Sequence, residues 1–81
     1  MTADKIKKRI ADCVTMFGFD YKGKNGGVDP YYIPETDSFE FYLFYDEYEK
    51  NVYSIDEVMS TPFIDGKTLS DLSDKITITE W

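Results

Sequence analysis

Phe39-Glu40-Phe41-Tyr42-Leu43-Phe44-Tyr45 places five aromatic rings in seven residues. Alternate residues of a strand point to opposite faces. A strand over 39–46 therefore shows Phe39, Phe41, Leu43 and Tyr45 on one side and Glu40, Tyr42, Phe44 and Asp46 on the other. The first side is continuously apolar and is expected to meet helices. Residues 47–50 are polar enough to turn the chain, and 51–55 return it, so the stretch reads as a hairpin over 39–55.

Outward from the hairpin, the pattern changes period. Ile6, Ile10, Cys13, Val14 and Phe17 follow the spacing of one helical face, predicting an amphipathic helix over 3–17. Thr2 stands at its N-cap and Gly18 at its C-terminal stop. The composition of 22–30, with three glycines, predicts a mobile connector. Tyr31-Tyr32-Ile33, bracketed by Pro30 and Pro34, predicts an edge strand. Ser54-Ile55-Asp56-Glu57 matches a capping box opening a short helix over 55–61 that Pro62 ends. Asp65-Gly66 marks a turn. Thr68 then starts a second short helix, with Asp71 as a weaker capping partner. Ile76-Thr77-Ile78-Thr79-Glu80-Trp81 alternates and predicts a last strand over 76–81.

The expected architecture is a single α+β domain over 1–81, in the order α-β-β-α-α-β, with a small antiparallel or mixed sheet of three or four strands. The long strand would lie centrally, with 51–55 on one side and 76–81 on the other. The first helix would cover the Phe39, Phe41 and Leu43 face.

Charge is unevenly spread along the chain. Residues 1–24 hold six cations against three carboxylates, whereas 25–81 hold three lysines against thirteen carboxylates, for a net −7 overall. The acidic part repels phosphate backbones, which argues against direct nucleic-acid binding and favours basic partners or solubility. No run of about 18 apolar residues exists to span a membrane. Asp12 interrupts the short apolar stretch after Lys5–Arg9, against a secretory leader. The lone cysteine suits a reducing compartment, and a cytoplasmic location is expected.

Chemistry is narrowed by what is missing. With no histidine, the commonest neutral-pH base, the usual triads and most zinc sites are excluded. Cys13 sits on the apolar helix face, as a small core residue would. Asp46, Glu47, Glu49, Asp56 and Glu57 offer carboxylates, but a small sheet offers little cleft for a glycosidase pair, and helix-start acids complement the macrodipole. No calcium-loop spacing occurs. No metal, cofactor or small-molecule substrate is expected.

Three features carry a resemblance: the aromatic hairpin, Ser54-Ile55-Asp56-Glu57-Val58, and Phe63-Ile64-Asp65-Gly66-Lys67-Thr68-Leu69 with Leu72. Over about 39–79 the chain resembles small acidic proteins of unassigned function from low-GC Gram-positive bacteria and their phages. The resemblance implies a mobile-element context and specifies no active site.

The tyrosines carry the remaining signal. Tyr42, Tyr45, Tyr48 and Tyr53, with Glu47 and Glu49, have the make-up of an interface anchor with a polar rim. The same rings equally suit the domain's own second apolar layer. The expectation is a non-enzymatic, soluble interaction module presenting this acidic hairpin to a basic protein, one version being a nucleic-acid mimic. The alternative is a self-associating structural protein, a homodimer.

Overall fold

A computed structural model describes residues 2–12 and 15–81. Cys13 and Val14, assigned above to the apolar helix face, lie outside the described residues. The elements run α1 (Ala3–Ala11), β1 (Phe17–Tyr21), β2 (Lys24–Ile33), β3 (Ser38–Tyr45), β4 (Tyr48–Val52), α2 (Ile55–Ser60), α3 (Leu69–Leu72) and β5 (Thr77–Glu80). The class is α+β. Five strands form one antiparallel sheet in the order β4-β3-β2-β1-β5.

The first helix is shorter than its spacing predicts. The Thr2 hydroxyl accepts from the Lys5 amide, and Ile6 and Ile10 are buried, but the helix ends at Ala11. Phe17, expected as its last anchor, instead opens β1. Phe17, Phe19 and Tyr21 alternate with Gly18 and Asp20, and that period of two wins because β2 is available to pair with it. Gly18 is a paired strand residue rather than a helix stop.

The predicted connector 22–30 is the second correction. Lys22 and Gly23, at φ 52° and 76°, make a two-residue turn, and β2 begins at Lys24. Both residues take the left-handed conformation that a tight hairpin with the right-handed strand twist demands. Residues 31–33 belong to the same ten-residue strand. Their edge character is nonetheless real, because β1 pairs with β2 only as far as Val28. Pro30 therefore sits where β2 has β3 on one side and no partner strand on the other.

The aromatic hairpin forms with a tighter turn than expected. Tyr45 pairs with Tyr48 around Asp46 and Glu47, so the return strand is Tyr48–Val52 rather than 51–55. The last strand pairs with β1 at the far edge rather than with the long strand.

Both short helices are capped as their sequences require, with the roles exchanged. At α3, Thr68 accepts from the Asp71 amide while Asp71 accepts from the Thr68 amide, a complete capping box. At α2, Ser54 accepts from the Glu57 amide, but the Glu57 carboxylate reaches the Tyr53 amide and the Ser54 hydroxyl.

All three helices contribute to one core. Ile6, Ile10, Val58, Met59, Leu69 and Leu72 pack against Phe17, Phe19, Val28, Phe41, Leu43, Tyr45 and Val52. The strand members of this set share one side of the sheet by register, so the helices form a single layer on that side. Phe41 and Leu43 meet it as expected, whereas Phe39 lies beyond it, exposed beside Tyr32 with ring centroids 5.4 Å apart. No helix of the described residues is long and apolar enough to cross a membrane.

Candidate functional site

A two-layer fold leaves one sheet face without a covering layer, and the register says what stands there. Partners across antiparallel strands point to the same side. Starting from Tyr42 and Phe44, the open face takes Glu49 and Asn51 from β4, Ser38 and Glu40 from β3, and Asn25, Gly27, Asp29, Tyr31 and Ile33 from β2. Gly18 and Asp20 of β1, with Thr77 and Glu80 of β5, complete it. Five of these residues are carboxylates, and no lysine or arginine among the described residues belongs to the set. The strand lysines Lys24 and Lys50 pair with Tyr21 and Leu43, which puts them on the helical side. Lys7 also lies there, bridging to Asp56 at 2.8 Å. The charge asymmetry read along the chain is thus resolved across the sheet.

Glycines in β2 make the aromatic packing possible. An ideal Cβ on Gly26 would lie 2.7 Å from Phe19 Cζ, and one on Gly27 would lie 2.8 Å from Phe44 Cζ. On the helical side, Phe19 and Tyr45, the cross-strand partners of Gly26, stack at 6.3 Å and 11°. On the open side, the Phe44 ring lies over Gly27 and stacks on Tyr42 at 5.7 Å and 24°. The missing side chains are replaced by rings from neighbouring strands.

Each ring on the open face faces a carboxylate in register. Phe44 is opposite Glu49, Tyr42 opposite Asp29, and Tyr31 opposite Glu40. The Tyr42 hydroxyl donates to Glu49 Oε2 at 2.5 Å, which raises the tyrosine pKa. The Tyr31 pKa is raised as well, chiefly by the Asp29 carboxylate. Holding the proton next to a negative charge keeps these phenols neutral and fixes their rings.

The six residues singled out from sequence do not form one surface. Tyr42 and Glu49 are together on the open face. Tyr45 is a core residue, 6% exposed, whose hydroxyl donates to the Tyr21 carbonyl at 2.7 Å. It belongs to the domain's own packing and is removed from the candidate site. Glu47 and Tyr48 line a shallow pocket of about 330 Å³ with Lys24, Asp46, Phe63 and Asp65. Tyr53, 68% exposed, stands apart between β4 and α2. Tyr31, Phe44, Asp29 and Glu40 are the members that sequence reasoning missed. The signal for Phe44 was present in the strand alternation, whereas Tyr31 and Asp29 needed the knowledge that β2 pairs with β3.

The fold and the site define a small α+β protein with an acidic, aromatic open sheet. Comparison with known proteins yields no matching family model, no matching curated protein and no matching solved structure.

Proposed function

We propose that this chain is a non-enzymatic interaction module that binds a basic protein through the open face of its sheet. The observation that supports it best is the coincidence of three half-buried or exposed rings and five carboxylates on one face that carries no lysine or arginine among the described residues. Five strands about 4.8 Å apart and a β3 of eight residues bound the face at roughly 19 by 27 Å, about 500 Å², smaller than the roughly 800 Å² per partner of a standard interface and on the scale of a transient one. Rings supply buried area at low entropy cost, and the surrounding carboxylates speed encounter with a positive surface.

Self-association is the weaker reading. A second copy laid on this face would set carboxylates against carboxylates in a chain of net charge −7. The β4 edge carries Glu49, Lys50 and Asn51, and Pro30 interrupts the free edge of β2, both of which blunt strand pairing.

The test is a titration with a lysine- and arginine-rich peptide followed by backbone amide shifts. Shifts at Gly27, Asp29, Tyr42 and Phe44 are expected, with weaker binding after Glu40→Lys plus Glu49→Lys and little change after Asp74→Lys beside α3. Shifts confined to the helical side, or spread evenly over the molecule, would overturn the proposal.

A further inference from the structure

At one end of the sheet, β2 and β3 continue without neighbours. β1 pairs with β2 only as far as Val28, and β4 pairs with β3 only as far as Phe41, so Tyr31–Ile33 and Ser38–Glu40 pair with each other alone. Pro34–Asp37 close them into a two-stranded arm in which no residue from Tyr31 to Glu40 is buried. Two strands standing alone are marginal in water, and local bonds stiffen this pair. The Thr36 amide donates to the Ile33 carbonyl at 3.3 Å, the Asp37 amide to the Pro34 carbonyl at 3.4 Å, and the Tyr32 hydroxyl to Asp37 Oδ1 at 2.6 Å. An arm already in shape loses little freedom when it is gripped.

Rings stand on both sides of the arm. Tyr31 is on the open face, whereas Tyr32 and Phe39 are on the opposite side, past the helices and exposed, with ring centroids 5.4 Å apart. The arm and its base carry Asp29, Glu35, Asp37 and Glu40, and no lysine or arginine lies between Lys24 and Lys50. The chain's own cations are used elsewhere. Among the described residues, lysines bridge to Asp46, Asp56, Asp65 and Asp74, and none bridges to these four carboxylates. Asp37 gives one oxygen to Tyr32 and keeps acceptor positions for an incoming donor. A lysine or arginine side chain has the matching build, an apolar stem that carries a charged head.

Resting on the basic-partner reading above, we propose that an extended lysine- and arginine-rich segment of the partner wraps the arm and holds it on both sides. On the open side the segment lies along Tyr31, Tyr42 and Phe44. On the far side one basic side chain lays its stem on Tyr32 and Phe39 and brings its head to Asp37.

The probe is a lysine- and arginine-rich peptide of about twenty residues, roughly 66 Å when extended and so long enough to pass round two strands. Intermolecular proton–proton contacts by NMR, from the peptide methylenes to the protein's rings, are expected at Tyr42 or Phe44 and also at Tyr32 and Phe39. Contacts to Tyr42 and Phe44 alone overturn the grip and leave the open-face reading in place. Contacts to Tyr32 and Phe39 alone overturn the open-face reading and with it the grip on both sides, and contacts to no ring overturn both. Charge location is tested by two variants of equal net charge, Glu35→Gln plus Asp37→Asn in the arm and Glu47→Gln plus Asp74→Asn outside it, with folding checked by circular dichroism. Asparagine tolerates the φ of 50° at position 37, and its side-chain carbonyl still accepts from Tyr32. The arm variant is expected to bind the peptide about two- to tenfold more weakly than the other, the factor that one or two exposed ion pairs supply. Equal affinity of the two variants overturns the seat at Asp37.

Discussion

Replacing Gly27 by alanine tests the reassignment of the glycine-rich segment from connector to central strand. An alanine in place of glycine in an ordinary strand or loop of compatible conformation stabilises by roughly 0.5–1 kcal/mol, because the unfolded chain loses freedom. Here the new methyl would lie 2.7 Å from the Phe17 carbonyl oxygen and 2.8 Å from Phe44 Cζ. The ring can swing away, at the expense of its stacking on Tyr42. The carbonyl belongs to the β1 backbone and moves only with the strand. Overpacking of this kind costs about 1–3 kcal/mol, and the fixed carbonyl places the change in the upper half of that range. For a domain of this size each kcal/mol lowers the melting temperature by roughly 4–8 °C, so a fall of about 8–24 °C is expected. Urea unfolding should show a lower midpoint at unchanged slope. Gly23→Ala is the internal comparison. Nothing lies within 4 Å of its ideal Cβ, but φ is 76°, so it pays only a left-handed backbone cost of about 1 kcal/mol. A Gly27→Ala protein melting at or above the parent would refute the strand assignment and the ring-over-glycine packing together.

Two further outcomes are expected. Lys7 and Lys24 have raised pKa values through hydrogen bonds to Asp56 and Asp46, and Tyr31, Tyr32 and Tyr42 through the carboxylates of Asp29, Asp37 and Glu49. A folded-state pKa above the unfolded value gives stability that is present below the unfolded pKa and lost as pH rises through the folded one. The ordinary pKa values of lysine and tyrosine already lie at about 10 and these are shifted upward, so their contribution to the melting temperature should stay level from about pH 6.5 to about pH 9 and be lost beyond about pH 10; loss of that contribution already complete by about pH 9, measured against variants that remove these carboxylates, would contradict this. Arg9 ties α1 to the region beyond β5, donating from Nε to the Trp81 carbonyl at 2.6 Å and from a terminal nitrogen to Thr15 Oγ1, with its guanidinium 5.7 Å from the Trp81 ring centroid. Arg9→Ala should cost about 1 kcal/mol by chemical denaturation, and Arg9→Lys should recover less than half, since an ammonium cannot fork or stack; full recovery by lysine would reduce the contact to simple charge.

The α+β class, the apolar side of β3 and the starts of α2 and α3 were legible in the residues, because each is set by neighbours a few positions away. Strand alternation assigns Phe41, Leu43 and Tyr45 to one face whatever covers them, and Ser54 and Thr68 cap helices through bonds that span three residues. The same alternation already separated Tyr42 from Tyr45, although clustering by sequence grouped them as one candidate surface. What was not legible depends on strands remote in sequence. Gly26 and Gly27 read as a loop because glycine forfeits packing in a strand, and only Phe19, Tyr45 and Phe44 from the adjacent strands restore it. The end of α1 was misjudged for a related reason. Phe17 satisfies a helical period and a strand period at once, and its pairing with Val28 decides between them. The open face likewise follows from register. Tyr31 and Asp29 join Tyr42, Phe44 and Glu49 because β2 lies beside β3, and their side of the sheet is bare because all three helices pack on the other, where the apolar area is largest. Local sequence determined which way each side chain points along its own strand; long-range pairing decided which of those side chains stand together.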